Sequence, residues 1–140
     1  MPASTLREMA LEFSQVHSYP STAVGISVPV ALKSGGEVID LLAYLDTGAS
    51  NCLFERKHGE LLNLEIEAGD PRTFRTATGS VDTFGHAVEL QVLGLTFESI
   101  VYFFADERIN KNLLGRAGWL DRIRLGLVDH DGELYLAAYD

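Results

Sequence analysis

The sequence has only one cysteine among its 140 residues, Cys52, so no disulfide can form within the chain. A single thiol is typical of proteins in a reducing compartment, and we expect an intracellular, cytoplasmic protein. The first residues also lack the basic and apolar stretches of a secretory signal. Cys52 stands before two apolar residues, a context that favours a small core residue over a catalytic thiol.

Long hydrophobic runs and basic clusters are absent as well. The longest apolar run, residues 100–105, is far shorter than the roughly 20 residues of a bilayer helix. The chain has 11 Lys and Arg against 20 Asp and Glu, and its formal net charge is −9. Because nucleic acids and anionic membranes are bound through basic patches, we expect neither as a partner. The four histidines show no metal-ligand spacing, so no metal and no other cofactor is expected.

What the sequence does contain is apolar residues, at 46%, enough for one core in a single domain. Most of them alternate with polar residues or form short runs between turn signals, which predicts β-strands. We predict hairpins over residues 24–49, around residues 77–80 and over residues 123–139. Residues 116–123 have the spacing of a two-turn helix. Residues 5–17 fit either a helix or a strand, and we favour a helical start that passes into an extended arm.

The stretch Asp46-Thr47-Gly48-Ala49 follows the apolar run that ends at Leu45. A buried strand that ends in this way brings a carboxylate to the floor of a cleft, since glycine lets the backbone turn sharply. Asp46 is therefore the predicted catalytic residue. A structural turn at the end of a strand is the alternative interpretation of the same residues.

Three features in this order resemble a protomer of the retropepsin-like aspartic peptidases, either the retroviral type or one pepsin-like lobe. They are the Asp46 stretch, the hairpin at Gly79, and the run Leu113-Leu114-Gly115-Arg116. The resemblance implies a mostly β, closed barrel or sandwich with one short C-terminal helix, active as a twofold homodimer. It covers residues 22–140 as the protease domain, and residues 1–21 form an N-terminal extension.

The resemblance also implies roles for single residues. Thr47 and Gly48 would support the catalytic loop, with Thr47 bonded across the dimer and Gly48 contacting substrate through its backbone. A hydrophobic pair and a glycine, Leu113, Leu114 and Gly115, would pass beneath that loop. The remaining substrate-binding residues implied in this way are Ala49, Ser50, Ala77, Thr78, Gly79 and Ser80, of which the last four form a flap over bound peptide.

Peptide hydrolysis by carboxylates needs two acids, one to take a proton from water and one to give a proton to the carbonyl. The chain contains only one Asp-[Ser/Thr]-Gly, at Asp46, so a second copy must supply the other acid. The sequence thus predicts a homodimeric endopeptidase that acts on polypeptides. A catalytically inactive dimerisation or peptide-binding module on the same fold remains the alternative.

Two positions depart from the retroviral pattern. Ser50 replaces the acid that pairs with the arginine after the second glycine, which leaves Arg116 without that partner. Ala49 replaces the serine that pepsin-like lobes often have, whose hydroxyl would favour the charged form of the catalytic carboxylate. From Ala49 we expect activity at weakly acidic to near-neutral pH.

Overall fold

The structure is a computed structural model that describes residues 8–139. This part of the chain forms ten strands and one α-helix. Their bounds are β1 Gln15–Ser18, β2 Ser27–Ser34, β3 Glu37–Leu45, β4 Leu53–Phe54, α1 Arg56–Leu61, β5 Asp70–Thr76, β6 Gly79–Val92, β7 Leu95–Phe104, β8 Leu113–Leu114, β9 Ile123–Val128 and β10 Glu133–Ala138. The predicted mostly β fold class and its hairpins are confirmed.

Six strands close into a barrel. They run in the order β2-β3-β8-β4-β7-β6, and β6 pairs back with β2 through Val30–Val92 and Leu32–Leu90. Closure removes the open sheet edges, and alternate side chains of each strand point into the interior. The largest buried side chains there include Trp119, Phe54 and Phe103. β5 extends the sheet beyond β6, while β1, β10 and β9 form a separate three-stranded sheet.

The helix does not lie where the sequence predicted it. Residues 116–123 were expected to form a two-turn helix, but only a three-residue 3₁₀ turn forms there, at Leu120–Arg122. Gly118 has a φ of +97°, which interrupts helical backbone, and the neighbouring Trp119 is fully buried. The α-helix is instead α1, in a polar stretch for which the sequence predicts no helix. The i,i+4 ion pair of Arg56 with Glu60 on α1 was an available helix signal.

The N-terminal prediction was also wrong in part. Residues 8–14 form no helix, and residues 5–7 lie outside the described part of the chain. Met9 and Leu11 are exposed, so no apolar helical face is buried here. The extended arm is present as β1, which pairs with β10. The domain boundary at residue 22 falls between β1 and β2 and remains a prediction.

Between residues 8 and 139, no helix has both the length and the apolar character needed to cross a lipid bilayer.

Candidate active site

Asp46 begins the loop that follows β3. β3 runs parallel to β8, with Leu45 beside Leu114, and the Asp46 amide donates a hydrogen bond to the Leu114 carbonyl at 3.0 Å. The carboxylate oxygen Oδ1 accepts the Gly48 amide at 2.9 Å, and the Ala49 amide donates to the Asp46 carbonyl at 3.1 Å. Asp46 is half-buried and Gly48 is exposed. The loop thus holds one carboxylate oxygen in a tight turn, and Oδ2 has no protein donor among the described residues.

The segment after β8 passes directly against this loop. The Arg116 amide donates to the Ala49 carbonyl at 2.9 Å, and the Ala117 amide donates to the Ser50 carbonyl at 2.8 Å. A Cβ atom on Gly115 would lie 2.1 Å from the carbonyl oxygen of Asn51. Only glycine allows two backbones to approach this closely, which explains the residue type at position 115.

Cys52 lies in the core behind the loop. Its side chain is fully buried, as predicted, and its Sγ accepts a hydrogen bond from the Gly115 amide at 3.4 Å. Burial, opposed by the Gly115 hydrogen bond and reinforced by the charge of Asp121, raises the pKa of the Cys52 thiol to about 11. The thiol is therefore neutral at physiological pH and packs as a small apolar group.

Two cavities meet beside Asp46. The first, of about 340 Å³, is lined by Asp46 together with Leu42, Tyr44 and Leu113, and by three polar residues of the segment before β8, Asn110, Lys111 and Asn112. The second, of about 350 Å³, lies between the β5–β6 hairpin and the barrel. It shares Asn110, Lys111 and Leu113 with the first cavity. The two cavities therefore form neighbouring parts of one groove with apolar walls and a polar rim.

The β5–β6 hairpin borders the second cavity through Thr76, Thr78 and Val81. Its tip is closed by the Thr76 hydroxyl, which donates to the Gly79 carbonyl at 2.8 Å and accepts from the Thr78 amide at 3.3 Å. Residues 76–80 are all exposed, and Gly79 has a φ of +133° with open space around it. Of the tip residues, Thr78 therefore lines the groove. On the Asp46 loop, the predicted site residues Thr47 and Ser50 are exposed.

The sequence did not indicate that Glu55 and Asn112 would support the wall shared by both cavities. The Asn112 side-chain amide donates to Glu55 Oε2 at 2.6 Å, and the Glu55 backbone amide donates back to Asn112 Oδ1 at 3.0 Å. The Asn112 carbonyl also accepts the Tyr44 amide at 2.8 Å, two residues before Asp46. This bonded pair ties the start of α1 to the groove wall. The sequence signal was only a polar residue before the Leu113-Leu114 run.

The Glu55 carboxylate keeps its charge in this setting. Burial tends to raise its pKa, but hydrogen bonding by Asn112 and the nearby Lys57 and His58 outweigh burial and lower the pKa below the ordinary value. A carboxylate whose pKa is lower in the folded than in the unfolded state stabilises the fold above its unfolded-state pKa. That contribution is lost as the pH falls through the lowered pKa.

We expect Asn112→Ala to lower the free energy of unfolding by about 1–3 kcal/mol, because the Glu55 carboxylate then loses a donor and the Glu55 backbone amide loses its acceptor in a largely buried site. Urea denaturation at neutral pH measures the change. Asn110→Ala is the matched control, since Asn110 lies two residues away and is exposed, and it should change stability by less than about 0.5 kcal/mol. Equal effects of the two substitutions would contradict the bracing role of Asn112.

Comparisons with known proteins identify one family from the sequence and similar folds among solved structures. A family model described as aspartyl protease matches residues 28–117. The fold is similar to a crystal structure of a retropepsin-like aspartic protease from Rickettsia conorii, with a TM-score of 0.59 and 18% sequence identity over 79% of this chain and 89% of that one. It is also similar to the EIAV protease complexed with the inhibitor HBY-793, with a TM-score of 0.54 and 20% identity over 70% of this chain and 88% of that one. A search of curated proteins found no significant match.

Proposed function

Since the chain belongs to the aspartyl protease family and has a retropepsin-like fold, we propose that it is a homodimeric aspartic endopeptidase. In this proposal Asp46 of each protomer contributes one carboxylate to a dyad on the twofold axis. The observation that carries it is the position of Asp46. Its carboxylate is half-exposed, held at Oδ1 by the Gly48 amide, and lies in a groove beside the β5–β6 hairpin.

The requirement for a second protomer follows from the acids present. No other Asp or Glu lines the cavity that contains Asp46 in the described part of the chain. One carboxylate cannot serve as acid and base together, so the missing group comes from a second copy through an isologous contact. Two facing carboxylates repel when both are charged, and the pair then shares a single proton, as the aspartic proteases illustrate.

The dyad then performs hydrolysis without a covalent intermediate. The unprotonated carboxylate takes a proton from water, whose oxygen attacks the peptide carbonyl carbon, while the protonated carboxyl gives its proton to the carbonyl oxygen. Collapse of the resulting diol then breaks the C–N bond. One diol hydroxyl returns its proton to the carboxylate that is now unprotonated, and the departing nitrogen takes up the proton held by the other carboxyl. The dyad returns to its single-proton state, so one dimer can turn over repeatedly.

The rest of the site would bind an extended peptide. The Gly48 amide is already bonded to Asp46, so Gly48 would contact substrate through its carbonyl oxygen. Ala49 and Ser50 continue that backbone edge, while the tip formed by residues 77–80 would close over the peptide from the other side. Apolar walls such as Tyr44 and Leu113 suit buried substrate side chains. Thr47 would bond to its counterpart beneath the dyad, and residues 113–115 would support the loop from below.

The direct test combines activity and association. The purified protein is incubated with a mixed peptide library, with and without a statine-type inhibitor, while sedimentation measures its oligomeric state. We expect cleavage that the inhibitor blocks and whose specific activity rises with protein concentration as dimers form. A strictly monomeric protein that still cleaves peptides would overturn the shared dyad. A dimer that binds peptides without cleaving any of them would support the inactive binding module.

We expect the wild type to be active at weakly acidic to near-neutral pH, and Ala49→Ser to shift the pH–activity profile downward by about half to one pH unit. A serine hydroxyl at position 49 would donate a hydrogen bond to the dyad and favour its charged form, an effect worth about 1 kcal/mol. Initial rates on one peptide across pH measure the shift. Ala87→Ser, at an exposed position on β6, is the control and should leave the profile unchanged. A wild-type optimum in strong acid would refute the expectation.

A further inference from the structure

Lys111 is the residue that the proposed chemistry leaves without a role. It lies in the segment between β7 and β8 and lines both cavities of the groove, so it is close to Asp46 on one side and to the β5–β6 hairpin on the other. Its side chain is exposed. Within residues 8–139 it forms neither a hydrogen bond nor an ion pair.

The other cation at the groove is already paired. Arg108 lines the second cavity, but its guanidinium makes two hydrogen bonds to Asp106, at 3.0 and 2.9 Å, and this pairing raises its pKa and lowers the pKa of Asp106 to about 2. That pair contributes little net charge. Lys111 is therefore the unneutralised cation of the groove among the described residues, in a protein whose formal net charge is −9.

The surroundings determine which ligand this charge favours. Most other residues of the two cavities are apolar or uncharged, including Leu53, Ile109 and Leu113. An ammonium group at the rim of an apolar groove attracts a carboxylate more strongly when a bound peptide excludes water from it. Lys111 lies at the wall shared by both cavities, and one of these cavities contains Asp46. The Lys111 ammonium group would therefore attract a carboxylate on a peptide residue next to the scissile bond.

We propose that Lys111 is a specificity residue that favours peptides carrying an aspartate or glutamate side chain next to the cleaved bond. The location beside a cleaved bond rests on the proposed function, whereas the preference for binding an acidic side chain does not. The preference adds a charge requirement to an otherwise apolar substrate groove.

The test uses two statine-containing peptides that are identical except for Glu or Gln beside the statine, and it measures their dissociation constants for the wild-type dimer. We expect the Glu peptide to bind about fivefold more tightly at low salt, an advantage that shrinks as salt screens the charge. Lys111→Gln should abolish the preference and Lys111→Glu should reverse it. Lys33→Glu, at the opposite end of the β2–β3 hairpin, makes the same change in net charge and should leave the preference intact.

The outcomes separate the inference from the catalytic proposal, because matching substrate peptides are assayed for cleavage in parallel. Preferential binding of the Glu peptide that depends on Lys111, without any cleavage, would support the inference and refute the catalytic proposal. Cleavage with equal affinity for both peptides would overturn the inference and leave the peptidase in place. Failure of both peptides to bind, or a preference that Lys33→Glu changes as much as Lys111→Glu does, would also overturn the inference.

Discussion

Asp46→Asn is expected to lower kcat/KM for peptide hydrolysis by a factor of about 10⁴ or more. Asparagine is nearly the same size as aspartate, and its Oδ1 can still accept the Gly48 amide, so the loop should keep its structure. The asparagine side chain, however, cannot accept a proton from water at any working pH. Initial rates on a peptide that the wild type cleaves measure the loss, and circular dichroism checks that the fold is retained.

Asp40→Asn is the matched control for this variant. Asp40 lies on the same strand, β3, is exposed, and loses the same charge on substitution. Activity close to that of the wild type is expected. If Asp40→Asn lowered activity as much as Asp46→Asn, the loss would reflect the charge or stability of β3, and Asp46 would have no special catalytic role.

A mixing experiment extends the Asp46 prediction to the dimer. When wild type and Asp46→Asn are mixed in equal amounts and exchange subunits at random, half of the wild-type protomers enter mixed dimers with a single carboxylate. Because one carboxylate cannot supply both proton transfers, activity should fall to about half of its value before exchange. Activity that stayed unchanged after complete exchange would show that each protomer acts alone.

Gly115→Ala should lower the free energy of unfolding by several kcal/mol, which is a large part of the 5–15 kcal/mol that holds most domains folded. The new methyl group would lie 2.1 Å from the carbonyl oxygen and 2.6 Å from the carbonyl carbon of Asn51, and 2.8 Å from the carbonyl oxygen of Ala49. All three atoms belong to backbone and cannot rotate away. Relief of the clash must separate β8 from the Asp46 loop, so activity should be lost with stability.

Urea denaturation of the wild type and of Gly115→Ala measures the loss of stability. If the variant does not fold, the yield of folded protein is the second readout. Gly36→Ala is the control: Gly36 has a φ of +87° but no heavy atom within 4 Å of the added methyl. Only backbone strain applies there, and we expect a loss of about 1 kcal/mol. A Gly115→Ala effect no larger than that of Gly36→Ala would mean that the loop adjusts freely.

Much of the architecture follows from local patterns. The β2–β3, β5–β6 and β9–β10 hairpins combine alternating apolar residues with glycine-containing turns, which is the strongest short-range signal in a sequence. The predicted family is confirmed by the aspartyl protease match and the retropepsin-like fold. The helix predictions were less successful. The spacing of residues 116–123 agrees with a helix, but Gly118 and the buried Trp119 favour a single tight turn.

Other features arise only from contacts between distant parts of the chain. Glu55 and Asn112 are 57 positions apart, and nothing near either residue indicates that the Asn112 side chain bonds to both the carboxylate and the backbone amide of Glu55. Lys111 belongs to a loop that the sequence shows only as polar, yet the fold makes it part of both cavities beside Asp46. Such features depend on the register between strands, which is a property of the assembled sheet.

The sequence by itself determined the strands, the turns and the acidic residue that follows β3, because strand alternation and turn chemistry act over a few neighbouring residues. Only the tertiary structure decided how closely Gly115 passes beneath the Asp46 loop, which residues brace the groove and which cation lines it. These depend on barrel closure through the β2–β6 pairing, which brings together residues that have no relation along the chain.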